Sequence, residues 1–131
     1  MNILIVDDSK IVRRVLSNTM GRYFKPPEWK ELNLFEAEDG IEAIEVMKKE
    51  KIDIMLLDWN MPNMTGPEVV EAVRAKKEWN KTRIVMATTE GSKSSVLAMI
   101  KKGANGYLVK PFQEDAIFKT MDTITARMPK S

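Results

Sequence analysis

Residues 2–9 read NILIVDDS, an apolar run from Ile3 to Val6 that stops on two adjacent carboxylates, Asp7 and Asp8. Consecutive apolar side chains with no polar alternation describe a strand buried on both faces, as in a parallel sheet covered by helices on each side. The acids at its end repel each other, so whatever places them there must bring positive charge to the same spot.

The pattern repeats along the chain. Short apolar runs at 3–6, 34–37, 54–57, 84–87 and 107–109 are predicted strands, and the stretches between them carry helical spacing. Val12, Leu16, Met20 and Tyr23 with Phe24 share one helical face. Ile44 with Met47, Val69 and Val70 with Val73, Val96 and Leu97 with Ile100, and Ile117, Met121 and Ile124 with Met128 supply further faces. Five strand-then-helix repeats predict a doubly wound, three-layer α/β domain: a five-stranded parallel sheet joined by right-handed crossovers. No linker divides residues 1–131, so a single domain is expected. The one break in composition is YFKPPEWKELN at 23–33, where Pro26 and Pro27 end the first helix and Trp29 lies in a long connection. The loop over 26–30 reads either as packed surface or, through Trp29, as a binding element.

Composition narrows the chemistry. Of 131 residues, 44% are apolar and 31% charged, an ordinary balance for a globular chain. There is no cysteine and no histidine, which excludes disulfides, thiolate and imidazole metal sites, and histidine-based acid/base catalysis. Carboxylates, hydroxyls and lysines remain. The net charge is +2, and Lys48-Lys49, Lys76-Lys77 and Lys101-Lys102 fall near predicted helix ends, where they complement the helix dipole without requiring a nucleic acid. The first apolar run is too short for a signal peptide or a membrane span, so a cytoplasmic protein without membrane insertion is expected. The ten methionines, Met47, Met99 and Met121 among them, read as core filler.

In an open parallel sheet, ligands bind beyond the carboxyl ends of the strands, near the switch in strand order. Just past the predicted strands stand Asp7 and Asp8, Asp58, Thr88 and Thr89, and Lys110 before Pro111; Glu38-Asp39-Gly40 reads as a turn into the second helix. Clustered carboxylates without histidine describe an oxygen-ligand site for a hard cation such as Mg²⁺. A lysine and a hydroxyl beside it suit an oxyanion with extra charge, such as a phosphoryl group. Each residue alone has a simpler role: Asp8 or Ser9 can cap the first helix, Asp58 can serve a turn, and Lys110 can be a solvated lysine. The coincidence of all of them at one sheet edge carries the reading.

IVDDS (5–9), LLDWNMPNMTG (56–66), VMATTE (85–90) and GANGYLVKPF (103–112), in this order and spacing, resemble response-regulator receiver domains of the CheY-like class. The resemblance spans essentially the whole chain. It implies the flavodoxin/CheY-like (βα)5 fold with strand order 2-1-3-4-5. It also implies that Asp58 accepts a phosphoryl group from the phosphohistidine of a sensor histidine kinase. Asp8 and Asp58 would ligate Mg²⁺ with the backbone carbonyl of Asn60, and Asp7 would act mainly through a bound water. Lys110 and Thr88 would contact the phosphoryl oxygens. Thr88 and Tyr107 match the switch pair that remodels the α4-β5-α5 face, and Asn60 and Glu90 the positions that tune dephosphorylation. The Asn/Glu combination matches the chemotaxis branch.

On this basis the chain reads as a stand-alone, monomeric phosphorylation switch, not a turnover enzyme, that docks on a protein target such as a flagellar motor switch protein. A phosphorelay intermediate that passes its phosphoryl group to a second histidine remains open, as does a small Mg²⁺-dependent phosphohydrolase. The latter wants an acid two residues after the nucleophile, where Asn60 stands. Thr65 occupies a position where the family often has aspartate, with Pro67 two residues on, and Gly91-Ser92 replaces a commoner alanine-rich segment.

Overall fold

The computed structural model describes residues 1–89, 91–126 and 128. Along β1 (Asn2–Val6) the side chains of Ile3 and Ile5 point to one face of the sheet and those of Leu4 and Val6 to the other, and all four are buried. That is why the run carries no polar alternation: both faces are covered. β3 (Ile54–Asp58) and β4 (Arg83–Thr88) behave the same way, whereas β2 (Asn33–Ala37) and β5 (Gly106–Val109) are the sheet edges and stay partly open. The strands are all parallel, in the order β2-β1-β3-β4-β5 expected from the resemblance.

Two apolar layers sandwich the sheet. On one face, Leu4, Val6, Met55, Leu57, Ile84 and Met86 meet Ala43 and Met47 of α2 (Gly40–Lys49), Val69, Val70 and Val73 of α3 (Gly66–Arg74) and Met99 of α4 (Lys93–Lys102). On the other, Ile3, Ile5, Ile54, Leu56, Val85 and Leu108 meet Leu16 and Met20 of α1 (Lys10–Tyr23) and Ile117, Met121 and Ile124 of α5 (Glu114–Thr125). The methionines named in the sequence lie in these layers, as expected.

Local chemistry sets the helix starts. Ser9 caps α1 by accepting from the Val12 N–H, which settles the choice between Asp8 and Ser9; Asp39 caps α2 and Ser92 caps α4 in the same way. Thr65 forms a reciprocal capping box with Glu68 at α3, with Pro67 in the first turn. Thr65 therefore has a structural role at the position where the family often has aspartate.

Two expectations need correction. Val96, Leu97 and Ile100 were expected to form a buried face, yet Leu97 and Ile100 are 49% and 42% exposed, and only Met99 of α4 is buried. Past β4 the sheet has a single short edge strand, so little surface remains for α4 to cover. Met128, expected on the last helical face, lies beyond the end of α5 at Thr125 but still packs against that apolar layer. Trp29 is 3% exposed and stacks edge-on against Phe24 at 5.0 Å between ring centres, so the loop is packed and its ring is not offered to a ligand.

Candidate functional site

The chain leaves β1 for β2 on one side and for β3 on the other, and this switch in order opens a crevice at the carboxyl ends of β1 and β3. Asp58 is the last residue of β3, pinned there because the next N–H, of Trp59, donates to the Ala87 carbonyl at 2.9 Å. Gly66 allows the returning chain to close over it. A Cβ at that position would lie 2.6 Å from the Asp58 carbonyl oxygen and 2.9 Å from the Trp59 Cα, backbone that cannot give way. Asn63 takes a φ of 68° in the same loop, and its side chain donates to the Asp39 carboxylate at 3.0 Å, tying the loop to the start of α2.

Asp7 and Asp58 are buried and Asp8 is exposed; one carboxylate oxygen from each lies within 4.8 Å of the others. Lys110 follows β5, and its N–H donates to the Thr88 carbonyl at 2.8 Å. Its ammonium donates to Asp58 Oδ1 at 3.0 Å and to Asp7 Oδ2 at 3.1 Å. This answers the problem posed by the opening acids: a lysine over a hundred residues away supplies positive charge to the buried member of the pair.

Burial is the main force on Asp58 and raises its carboxyl above the usual range; Lys110 opposes that shift, Asp7 adds to it, and a hydrogen bond from the Asn60 N–H opposes it. For Lys110, burial alone would depress the ammonium, but the paired carboxylates outweigh it and hold the group charged. Three carboxylates offset by one ammonium can accept a hard divalent cation through the oxygens of Asp7, Asp8 and Asp58.

Thr88, the last residue of β4, is buried at the same edge. Tyr107 pairs in register with Met86 and Val109 with Thr88, so both project from the α4-side face of the sheet, where Tyr107 is 45% exposed. Asn60 is exposed just past Asp58. Glu90 lies outside the described residues. Sequence reasoning passed over Arg13, whose guanidinium donates to the Asp7 carbonyl at 2.6 Å. The available signal was a charged residue sharing a helical face with Leu16 and Met20.

The fold and this crevice define a phospho-acceptor switch domain, and the chain belongs to the response regulator receiver domain family, whose model matches residues 3–122. Among its relatives, a chemotaxis protein CheY homolog of Campylobacter jejuni is 38% identical over 125 residues, covering 95% of this chain and 92% of its own. CheY1 of Helicobacter pylori is 36% identical over 95% of this chain and 96% of its own. Among solved structures, the chemotaxis response regulator CheY4 of Vibrio cholerae superposes with a TM-score of 0.82 at 36% identity, covering 94% of this chain and 97% of that one. A putative response regulator from Chloroflexus aurantiacus gives 0.84 at 28% identity over 96% and 98%. No helix among the described residues is long and apolar enough to cross a membrane.

Proposed function

We propose that the chain is a cytoplasmic chemotaxis response regulator, in which Asp58 accepts a phosphoryl group from a sensor histidine kinase and the resulting change is read by a protein target such as a flagellar motor switch. The observation that carries this reading is Lys110 bridging Asp7 and Asp58 beside the open carboxylate of Asp8. A lysine in that place has no use in a plain cation site but suits an incoming phosphoryl group.

Asp58 needs no general base, because its carboxylate is already a nucleophile when ionised. One of its oxygens attacks phosphorus, the bond from phosphorus to the donor imidazole nitrogen breaks, and that nitrogen keeps the electron pair. Asp7, Asp8, Asp58 and the Asn60 carbonyl are the groups that would hold Mg²⁺, with Asp7 acting mainly through water. When bound, the ion supplies charge neutralisation for the transferring group. Lys110, released in part from its carboxylates, donates to a phosphoryl oxygen, and the Thr88 hydroxyl to another. The movement of Thr88 draws Tyr107 inward, biasing the α4-β5-α5 face between two states. Asn60 and Glu90 stand at the sequence positions that, by the family resemblance, tune hydrolysis of the acyl phosphate.

Intact-mass analysis after incubation with a small acyl phosphate tests this directly. A gain of one phosphoryl group that needs Mg²⁺ and is lost in Asp58→Asn is expected. No gain in folded, Mg²⁺-binding protein would refute it.

A further inference from the structure

Arg13 is 7% exposed and sits on the sheet-facing side of α1, a costly place for a guanidinium unless its donors are used. They are. Nη1 donates to the Asp7 carbonyl at 2.6 Å, Nε donates to Glu36 Oε1 of β2 at 2.8 Å, and Nη2 lies 3.9 Å from Glu38 Oε1. The carbonyl it grips belongs to the peptide plane that joins Asp7 to Asp8. On the other side of Asp7, its N–H donates to the Ala37 carbonyl at 3.1 Å. The Asp7 side chain is held as well, by the Ser9 N–H at 2.8 Å and by Lys110. Asp8 differs: its carboxylate has no hydrogen-bond partner among the described residues, so only the backbone sets the direction in which it leaves the strand.

We infer that Arg13 is a positioning residue for cation binding: by fixing the Asp7–Asp8 peptide plane, with Glu36 anchoring the guanidinium from β2, it aims the Asp8 carboxylate into the crevice. The inference rests on the reading of Asp7, Asp8 and Asp58 as the Mg²⁺ site. It makes a claim whose sign is opposite to that of charge alone. A permanent cation beside two acids disfavours a second cation, so an arginine acting only through its field would weaken Mg²⁺ binding, and its removal would strengthen it. Removing an orienting residue does the reverse.

The test is calorimetric titration of the full chain with Mg²⁺, alongside thermal melting, for the natural sequence, Arg13→Met, Arg13→Lys and Glu36→Gln. Arg13→Met is expected to weaken Mg²⁺ binding about 10-fold, the size typical of losing a residue that orients a metal ligand. Arg13→Lys keeps the charge but not the planar fork that spans two acceptors, and it too should bind more weakly than the natural chain. Glu36→Gln, at an exposed carboxylate, should weaken binding less than either. Mg²⁺ affinity that is unchanged or tighter in folded Arg13→Met overturns the inference. If that variant does not fold, natural affinity in Arg13→Lys overturns it equally. A natural chain that binds no Mg²⁺ overturns the reading of the acids and the inference together, whereas equal binding by the natural chain and the variants overturns the inference alone.

Discussion

Burial raises the Asp58 carboxyl above its ordinary range, Lys110 pulls it back, and Asp7 pushes it up again. A group whose pKa is raised on folding favours the native state while protonated, and that advantage is lost as pH rises through the folded value. At neutral pH without Mg²⁺ the natural chain therefore carries a cost that Asp58→Asn does not. The variant should melt higher at pH 7, and the gap should close as the pH is lowered past the ordinary carboxylate range. A variant that melts lower than the natural chain at pH 7 would show that the ion pair with Lys110 outweighs burial. Asp7, Asp8, Asp58, Thr88 and Lys110 were all legible in the sequence because a parallel sheet brings its strand ends together whatever their separation along the chain. Arg13 was not, because a charge on a helix reads by default as solvated, and only the third dimension shows that β2 places Glu36 within its reach.

Helix starts form a second tier, where short-range chemistry governs and the sequence is most readable. Asp39 accepts from the Glu42 N–H at 2.9 Å and from the Asn63 side chain, and these bonds hold its carboxyl below the ordinary range. Such a group stabilises the fold above its unfolded pKa and stops doing so as pH falls through the lower, folded value. Asp39→Ala should cost about 1 kcal/mol at pH 7, and urea denaturation near pH 3 should show a smaller loss. An equal loss at both pH values would mean that the cap's charge contributes nothing. The turn at Glu38-Asp39-Gly40 was readable, but its tether to Asn63 on the loop after Asp58 was not, since nothing local pairs residues 39 and 63. The misreading of α4 has a related cause. Periodicity identifies which residues share a face, but whether a neighbour covers that face depends on where the sheet ends, and here it ends at β5.

At the scale of the whole molecule, that uncovered face acquires a meaning. Leu97, Ile100, Tyr107 and Val109, each between 42% and 49% exposed, leave apolar area on one side of the domain with Thr88 buried behind it. Strand register links the two: Thr88 pairs with Val109, and Lys110 hydrogen-bonds back to the Thr88 carbonyl. A charge change at Asp58 thus has a short mechanical route to the surface, through one strand end and its neighbour. On the opposite face of the sheet, α1 packs on a layer that includes none of these side chains. Hydrogen exchange should therefore change on phosphorylation across residues 93–109 and stay nearly constant across 10–23. In Thr88→Ala, mass analysis should still show the phosphoryl group while the exchange response shrinks several-fold. An undiminished response in that variant would send the signal by a route other than the hydroxyl. A response spread evenly over both faces would mean that the domain stiffens as a whole instead of switching one side.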